Sequence, residues 1–140
     1  MLGHTSGLYE DLTARENVIF WAQASGLDKA TAHERAENAI KRMGVEERLL
    51  SIPVSRLSAG QKRRTSLASL TVRRPELWLL DEPHSGLDQD GREAIDSFIK
   101  EVVGVGGTVI IASHELDRVS SLCPRVVTVA GGSTLENEDQ

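Results

Sequence analysis

The chain has 140 residues, enough for one domain, with 16 Lys and Arg against 21 Asp and Glu and a net charge of −5. That mild acidity excludes a general affinity for nucleic acid. The single cysteine, Cys123, excludes an internal disulfide framework and reads as a small buried apolar residue in a reducing compartment. No apolar run approaches the ~18 residues that cross a membrane and no signal peptide is visible, so any work at a membrane would run through a partner.

In chain order, Met1 to Gly7 is loop-like. Thr13 and Glu16 form a capping box that opens a first helix, whose apolar surface is Val18, Ile19, Phe20 and Trp21, and Ser25-Gly26 ends it. A second helix follows Asp28, with Ala32, Ala36, Ala39, Ile40 and Met43 at helical spacing and Gly44 as its stop. His33, Glu34, Arg35, Glu37, Lys41 and Arg42 read as its solvated face. A third helix opens at Ser58, with Gln61 completing a second capping box, and runs to about Val72. Gly60 in its first turn removes bulk where a ligand could approach the free N–H groups of a helix start, although Ser-x-x-Gln alone describes an ordinary capped helix equally well. Lys62-Arg63-Arg64 and Arg73-Arg74 lack interleaved aromatics and read as a solvated or partner-facing surface rather than a nucleic-acid patch.

Leu77-Trp78-Leu79-Leu80 then runs straight into Asp81-Glu82-Pro83. An unbroken apolar run of this length fits a central strand of a parallel sheet, buried on both faces. In open α/β sheets ligands bind beyond the carboxyl ends of the strands, where these two acids fall on opposite sides of the chain. Taken alone, a strand ending in a polar turn explains them as well. A helix over about Gln89 to Val103 buries Ile95, Phe98, Ile99, Val102 and Val103, Gly104 to Gly107 turns the chain, and Thr108 to Ala112 is a second buried strand. That glycine cluster follows a helix and precedes a strand, the reverse of a phosphate loop. Ser113 is expected to cap a short helix ending near Cys123-Pro124, Arg125 to Val129 to form a third strand, and Gly131-Gly132 to turn into an acidic tail. The fold class is therefore α/β: a helical subdomain over about 8–72, a β-α-β-α-β parallel-sheet unit over about 73–132, and a tail at 133–140. For His4 and His84 the reading is a histidine satisfied by backbone bonds, which also suits His114 taken alone.

Four motifs in this order resemble the ATP-binding cassette (ABC) ATPases, P-loop NTPases. Leu57-Ser58-Ala59-Gly60-Gln61 is similar to the signature, and Leu80-Asp81-Glu82-Pro83 to the Walker B strand with its catalytic glutamate. Ser85-Gly86-Leu87-Asp88 resembles the D-loop and Ser113-His114 the switch histidine. Ser58 and Asp81 stand 23 residues apart, a separation that also suits that family. The resemblance implies ATP and Mg²⁺ as ligands, with Asp81 on the metal through water, Glu82 on the attacking water and His114 on the γ-phosphate. Ser58, Ala59, Gly60 and Gln61 would bind nucleotide held by a second ATPase domain, in a homodimer whose interface Asp88 crosses. Thr5 falls about where the family places the Q-loop glutamine, and is too short for that role. Alanine at 59, histidine at 84 and the Leu2-Gly3-His4 and Arg125-Val126-Val127 regions are similar to the heme exporter ATPase of cytochrome c biogenesis. That implies a peripheral location on the cytoplasmic face of the membrane, with transmembrane permease subunits as partners. The sequence contains no G-x-x-x-x-G-K-[ST] loop. The family would place that loop before Gly3, so the expectation is an N-terminally truncated cassette. The other accounts are a cassette of another transport or non-transport system, or a non-catalytic half-cassette that docks on a complete one.

Overall fold

Each helix in the first half is fixed by its end groups. The computed structural model describes residues 7–135. Helix α1 (Ala14–Ala24) has the Thr13–Glu16 capping box, made in both directions, and α2 (Lys29–Arg42) starts at Asp28, whose carboxylate accepts from the amides of Ala30 and Thr31. Helix α3 (Ala59–Thr71) starts at Ser58 with the second box complete. Caps of this kind contribute about 1 kcal/mol each. Two short 3₁₀ turns, Glu47–Leu49 and Val54–Arg56, carry the chain from α2 to α3, and the three helices pack on one another. Their shared core includes Ala14, Val18, Ala36, Ile40, Met43, Leu67 and Ala68, all buried. Asn17, fully buried, holds the entering loop by bonding both the N–H and the C=O of Tyr9 and the carbonyls of Leu12 and Thr13. Every polar atom of this amide is used, so its burial carries no desolvation penalty left unmet.

Strand β1 (Leu77–Asp81) leads through helix α4 (Gln89–Gly104) to β2 (Thr108–Ala112), which pairs with it in parallel, Leu79 opposite Ile110. The α/β expectation holds here. The sheet is buried on one face only, however. Trp78 and Leu80 turn inward against α4, with the Trp78 and Phe98 rings edge to face at 4.8 Å, while Leu77, Leu79 and Ile110 are 51%, 41% and 55% exposed on the other face. Side chains alternate along a strand, and no described element covers the outer set.

The end of the chain departs further from expectation. After α5 (Leu116–Leu122), strand β3 (Thr128–Ala130) does not join the parallel sheet; it pairs antiparallel with β4 (Ser133–Leu135) in a separate hairpin turned by Gly131-Gly132. Adjacent glycines at positive φ, 58° and 79°, favour such a tight reversal, so the first residues assigned to the tail are strand. Ser113 does not cap α5 either. The cap position falls on Glu115, without a side-chain cap bond, and Ser113 Oγ accepts from the Glu115 amide at 3.2 Å. Thr5 and His4 lie outside the described residues. Cys123 is a half-buried free thiol whose pKa burial raises, which suits an inert residue.

An apolar sheet face with open strand edges is a site of self-association. The chain is expected to associate in sedimentation, and the pair Leu79→Lys and Ile110→Lys to shift it toward monomer, with each surface change moving stability by no more than about 0.5 kcal/mol. A wild-type chain that stays monomeric at high concentration contradicts this.

Candidate functional site

The carboxyl ends of β1 and β2 meet at Glu82. Its amide donates to the Ala112 carbonyl at 2.8 Å, and its φ of +44° places a non-glycine residue in the left-handed region. Such a conformation costs about 1–3 kcal/mol, and it swings the side chain out of the strand's alternation toward the end of β2. There Glu82 Oε1 lies 2.7 Å from His114 Nδ1 and accepts from the His114 amide at 3.0 Å, while Oε2 accepts from Ser113 Oγ at 3.2 Å. Two of the expected residues, Glu82 and His114, are thus in direct contact. Asp81 remains exposed at the end of β1.

The electrostatics of the pair follow from its hydrogen bonds. The bond from His114 holds the Glu82 carboxyl below the usual carboxylate range, against the opposing effect of burial, and the same bond to Glu82 raises the His114 pKa. The His114 side chain is 81% exposed and Glu82 35%, so solvent screens the pair and its net stabilisation is small.

The residues expected to form the signature, Ser58 to Gln61, open helix α3. Ser58 Oγ accepts from the Gln61 amide at 3.3 Å, and Gln61 Oε1 accepts from the Ser58 amide at 2.9 Å. The cap leaves the amides of Ala59 and Gly60 as first-turn donors for an anion. Gly60 packs against the Ser85–Asp88 loop so closely that a Cβ there would sit 2.9 Å from the Gly86 carbonyl oxygen. Leu87 is buried beneath this loop, Gly86 turns it at positive φ, and Asp88 caps α4 by accepting from the Gly91 amide at 2.9 Å. That bond, ahead of the nearby Arg64 charge, lowers the Asp88 pKa. Among the described residues no hydrogen bond joins Ser58 or Gln61 to Glu82 or His114.

Three features were not foreseen. The run Lys62-Arg63-Arg64 is no uniform solvated surface: Lys62 pairs outward with Glu10, but Arg64 reaches Asp88 and the Met43 carbonyl, and Arg63 reaches the carbonyls of Asp81 and Glu82. Arg63, Arg64 and Leu67 follow Gly60 at i+3, i+4 and i+7, the inward stripe of α3, so the helical period carried this signal. His84 is not satisfied by backbone bonds. It is 1% exposed, with Nε2 2.7 Å from Asp96 Oδ1, and Asp96 Oδ2 in turn accepts from Arg118 at 2.6 Å. Arg92 bonds Glu115 at 2.6 Å, next to His114. These partners are distant in sequence and have no local signature.

A comparison with protein-family models matches residues 1–85 to the ABC transporter family. The chain belongs to this family. It is 38% identical over 114 residues to the cytochrome c biogenesis ATP-binding export protein CcmA of Vibrio vulnificus, covering 81% of this chain and 54% of that protein. It is 34% identical over 128 residues to the linearmycin resistance ATP-binding protein LnrL of Bacillus subtilis, covering 91% and 41%. Methionine import ATP-binding protein MetN 2 of Pectobacterium atrosepticum is 34% identical over 133 residues, covering 94% and 39%. Among solved structures, the dimeric ATP-binding cassette MJ0796 in a post-hydrolysis state bound to ADP and Pi superposes with a TM-score of 0.74 at 27% identity, over 83% of this chain and 52% of that one. An ATP-binding subunit of an ABC transporter gives 0.79 at 28% identity, over 87% and 50%. The chain therefore spans about half the length of the proteins it matches.

The paired carboxylate and imidazole set a pH window. The raised His114 pKa means its part of the interaction is complete below the ordinary imidazole value of about 6.5 and is lost as pH rises through the raised value. The lowered Glu82 pKa means its part is lost as pH falls through that lowered value. An NMR titration of His114 should have its midpoint above the ordinary value, and Glu82→Gln should bring it down. A midpoint unaffected by the substitution would mean the two side chains do not pair in solution.

Proposed function

We propose that this chain is the signature-bearing part of the ATP-binding subunit of an ABC transporter, and that it contributes the base, the switch histidine and the signature helix to ATP hydrolysis. The observation that carries the reading is the convergence of Glu82, Ser113 and His114 at the ends of two parallel strands, beside a capped helix start packed on the Ser85–Asp88 loop. Phosphoryl transfer to water asks little covalent work of a protein; it needs positioning and charge neutralisation. Glu82 orients the attacking water and takes its proton. Both of its oxygens already hold hydrogen bonds, so the water displaces one, the long bond to Ser113 being the weaker. His114 neutralises charge on the transferred phosphoryl group, and the amides of Ala59 and Gly60 bind nucleotide held by the phosphate loop of a second subunit.

Mg²⁺ fits this arrangement. Among the described residues no cluster of three or more His, Cys, Asp and Glu side chains forms a metal site, and this ion is commonly held by one or two carboxylates with substrate phosphates and water. Asp81 would supply the carboxylate through water, and the bound ion would neutralise phosphate charge. Among the described residues no helix is long and apolar enough to cross a membrane, and the proposed location is the cytoplasmic face, against permease subunits. The finer reading of the cargo is heme for cytochrome c maturation. CcmA relatives at 38% and 40% identity support it, while LnrL and MetN at 34% support the transporter class alone.

In the full-length subunit, Glu82→Gln should lower phosphate release by about 10²–10⁴-fold, the range for loss of a general base, with ATP binding retained; turnover near wild type removes Glu82 from the role. The 140-residue chain, which carries no phosphate-loop motif, should release none. Gly60→Asp should block ATP-driven dimerisation by placing a carboxylate at the phosphates. Because any Cβ at residue 60 meets the Gly86 carbonyl, Gly60→Ala is the control: it should weaken dimerisation less than the aspartate. Dimerisation equal to wild type in both variants contradicts the signature assignment.

A further inference from the structure

The turn at Glu82 has a second holder besides the sheet. Arg63, one turn into α3, extends its guanidinium across to the end of β1, and a single nitrogen, Nη2, donates to the carbonyls of both Asp81 and Glu82 at 2.8 and 2.6 Å. Between these two carbonyls stands the left-handed residue, φ +44°. One nitrogen within reach of both shows that the two carbonyl oxygens converge, and two like partial charges that converge repel unless a cation lies between them. The guanidinium supplies that cation. Burial works against its charge, and the neighbouring Asp81 and Glu82 carboxylates work in its favour. Its Nε is buried with no hydrogen-bond partner, an arrangement that is unfavourable by itself. The guanidinium thus leaves Nε unpartnered while Nη2 bridges the two carbonyls.

The same helix carries the signature at its start. Gly60 lies three residues before Arg63, on the same side of α3, where a Cβ would meet the Gly86 carbonyl, while Arg64 ties the helix to Asp88 and to the Met43 carbonyl. An α-helix transmits displacement along its length as a stiff element, and the distance from Ser58 to Arg63 is about one and a half turns. Movement at the nucleotide-facing end of α3 thus reaches the carbonyls on either side of the Glu82 α-carbon through one side chain.

We propose that Arg63 is a positioning residue that fixes the Glu82 turn to the signature helix, so that the setting of the Glu82 carboxylate against His114 depends on where that helix sits. The proposal rests on the reading of Glu82 as the base for its functional meaning, but its test does not. The test is the NMR titration of His114 in the full 140-residue chain, which reports the Glu82–His114 contact whether or not Glu82 is catalytic. Arg63→Met keeps most of the side-chain length and removes the donors. It should bring the His114 midpoint down by at least half of the change that Glu82→Gln produces, with the circular dichroism of the helices unchanged. Arg63→Lys, which keeps the charge with a single point donor, should give a smaller change in the same direction. Lys62→Met, on the adjacent outward position, should give none. A folded Arg63→Met chain with the wild-type midpoint overturns the proposal. Should the methionine variant not fold, a wild-type midpoint in Arg63→Lys overturns it equally. In the full-length subunit the corresponding signature is a fall in kcat with KM for ATP little changed, since the residue touches the protein's own backbone and not the nucleotide; a change in KM alone would also overturn it.

Discussion

The structure turns on one backbone choice, the left-handed conformation of Glu82. Continued as a strand, residues 81 and 82 would project to opposite faces and the glutamate would leave the edge of β2. The reversal at φ +44° instead brings the Glu82 carboxylate onto the amide and imidazole of His114 and the hydroxyl of Ser113. A non-glycine residue adopts this region at a cost, and the surroundings meet it from three sides: the Ala112 carbonyl takes its N–H, the Ser85 N–H takes its C=O, and Arg63 bridges its carbonyl and that of Asp81.

Helix α4 organises what surrounds that turn. Its cap, Asp88, is also the partner of Arg64 from α3, so the start of α4 and the inward stripe of α3 share one carboxylate. One turn in, Arg92 holds Glu115; further along, Asp96 joins buried His84, just after Glu82-Pro83, to Arg118 on α5. The loop after β1 and the segment after β2 are therefore both fastened to the same helix, and Glu82 and His114 are held in contact from behind as well as directly. The apolar side of α4, with Ile95, Phe98 and Ile99 buried, fixes this helix to the inner face of the sheet; burial of each such side chain contributes about 1.5–3 kcal/mol.

The local parts of this architecture were readable from the residues. Thr13, Asp28 and Ser58 announced the three helices because a cap is a chemical fit within four residues, and Gly44 and Gly26 announced their ends. The apolar run Leu77 to Leu80 and the stretch Thr108 to Ala112 read as parallel strands, and the position of Glu82 and His114 at the strand ends follows from the alternation of strand and helix. What escaped was non-local. Apolar composition shows that Leu79 and Ile110 are suited to burial but not what covers them, and here they face outward. The residues before Thr128 have strand-like composition, yet pairing depends on which edge is within reach, and a hairpin with Ser133–Leu135 is closed at shorter range. His84, Asp96 and Arg118 meet only because three elements converge, and Arg63 looked like surface because its charge outweighed its place on the inward stripe of α3.

The central claim, that Glu82 is held in a fixed turn which locks the ends of β1 and β2 together, is tested most directly by hydrogen exchange at the amides of Glu82 and His114. Both lie outside the strands as residues of connecting segments, where exchange is ordinarily fast, but the account gives one a partner in the Ala112 carbonyl and the other a partner in the Glu82 carboxylate. It predicts protection at both amides comparable to that of Leu80 and Ile110, whose amides face the partner strand in the parallel register. Exchange at the rate of an open loop, with β1 and β2 still protected, would contradict it.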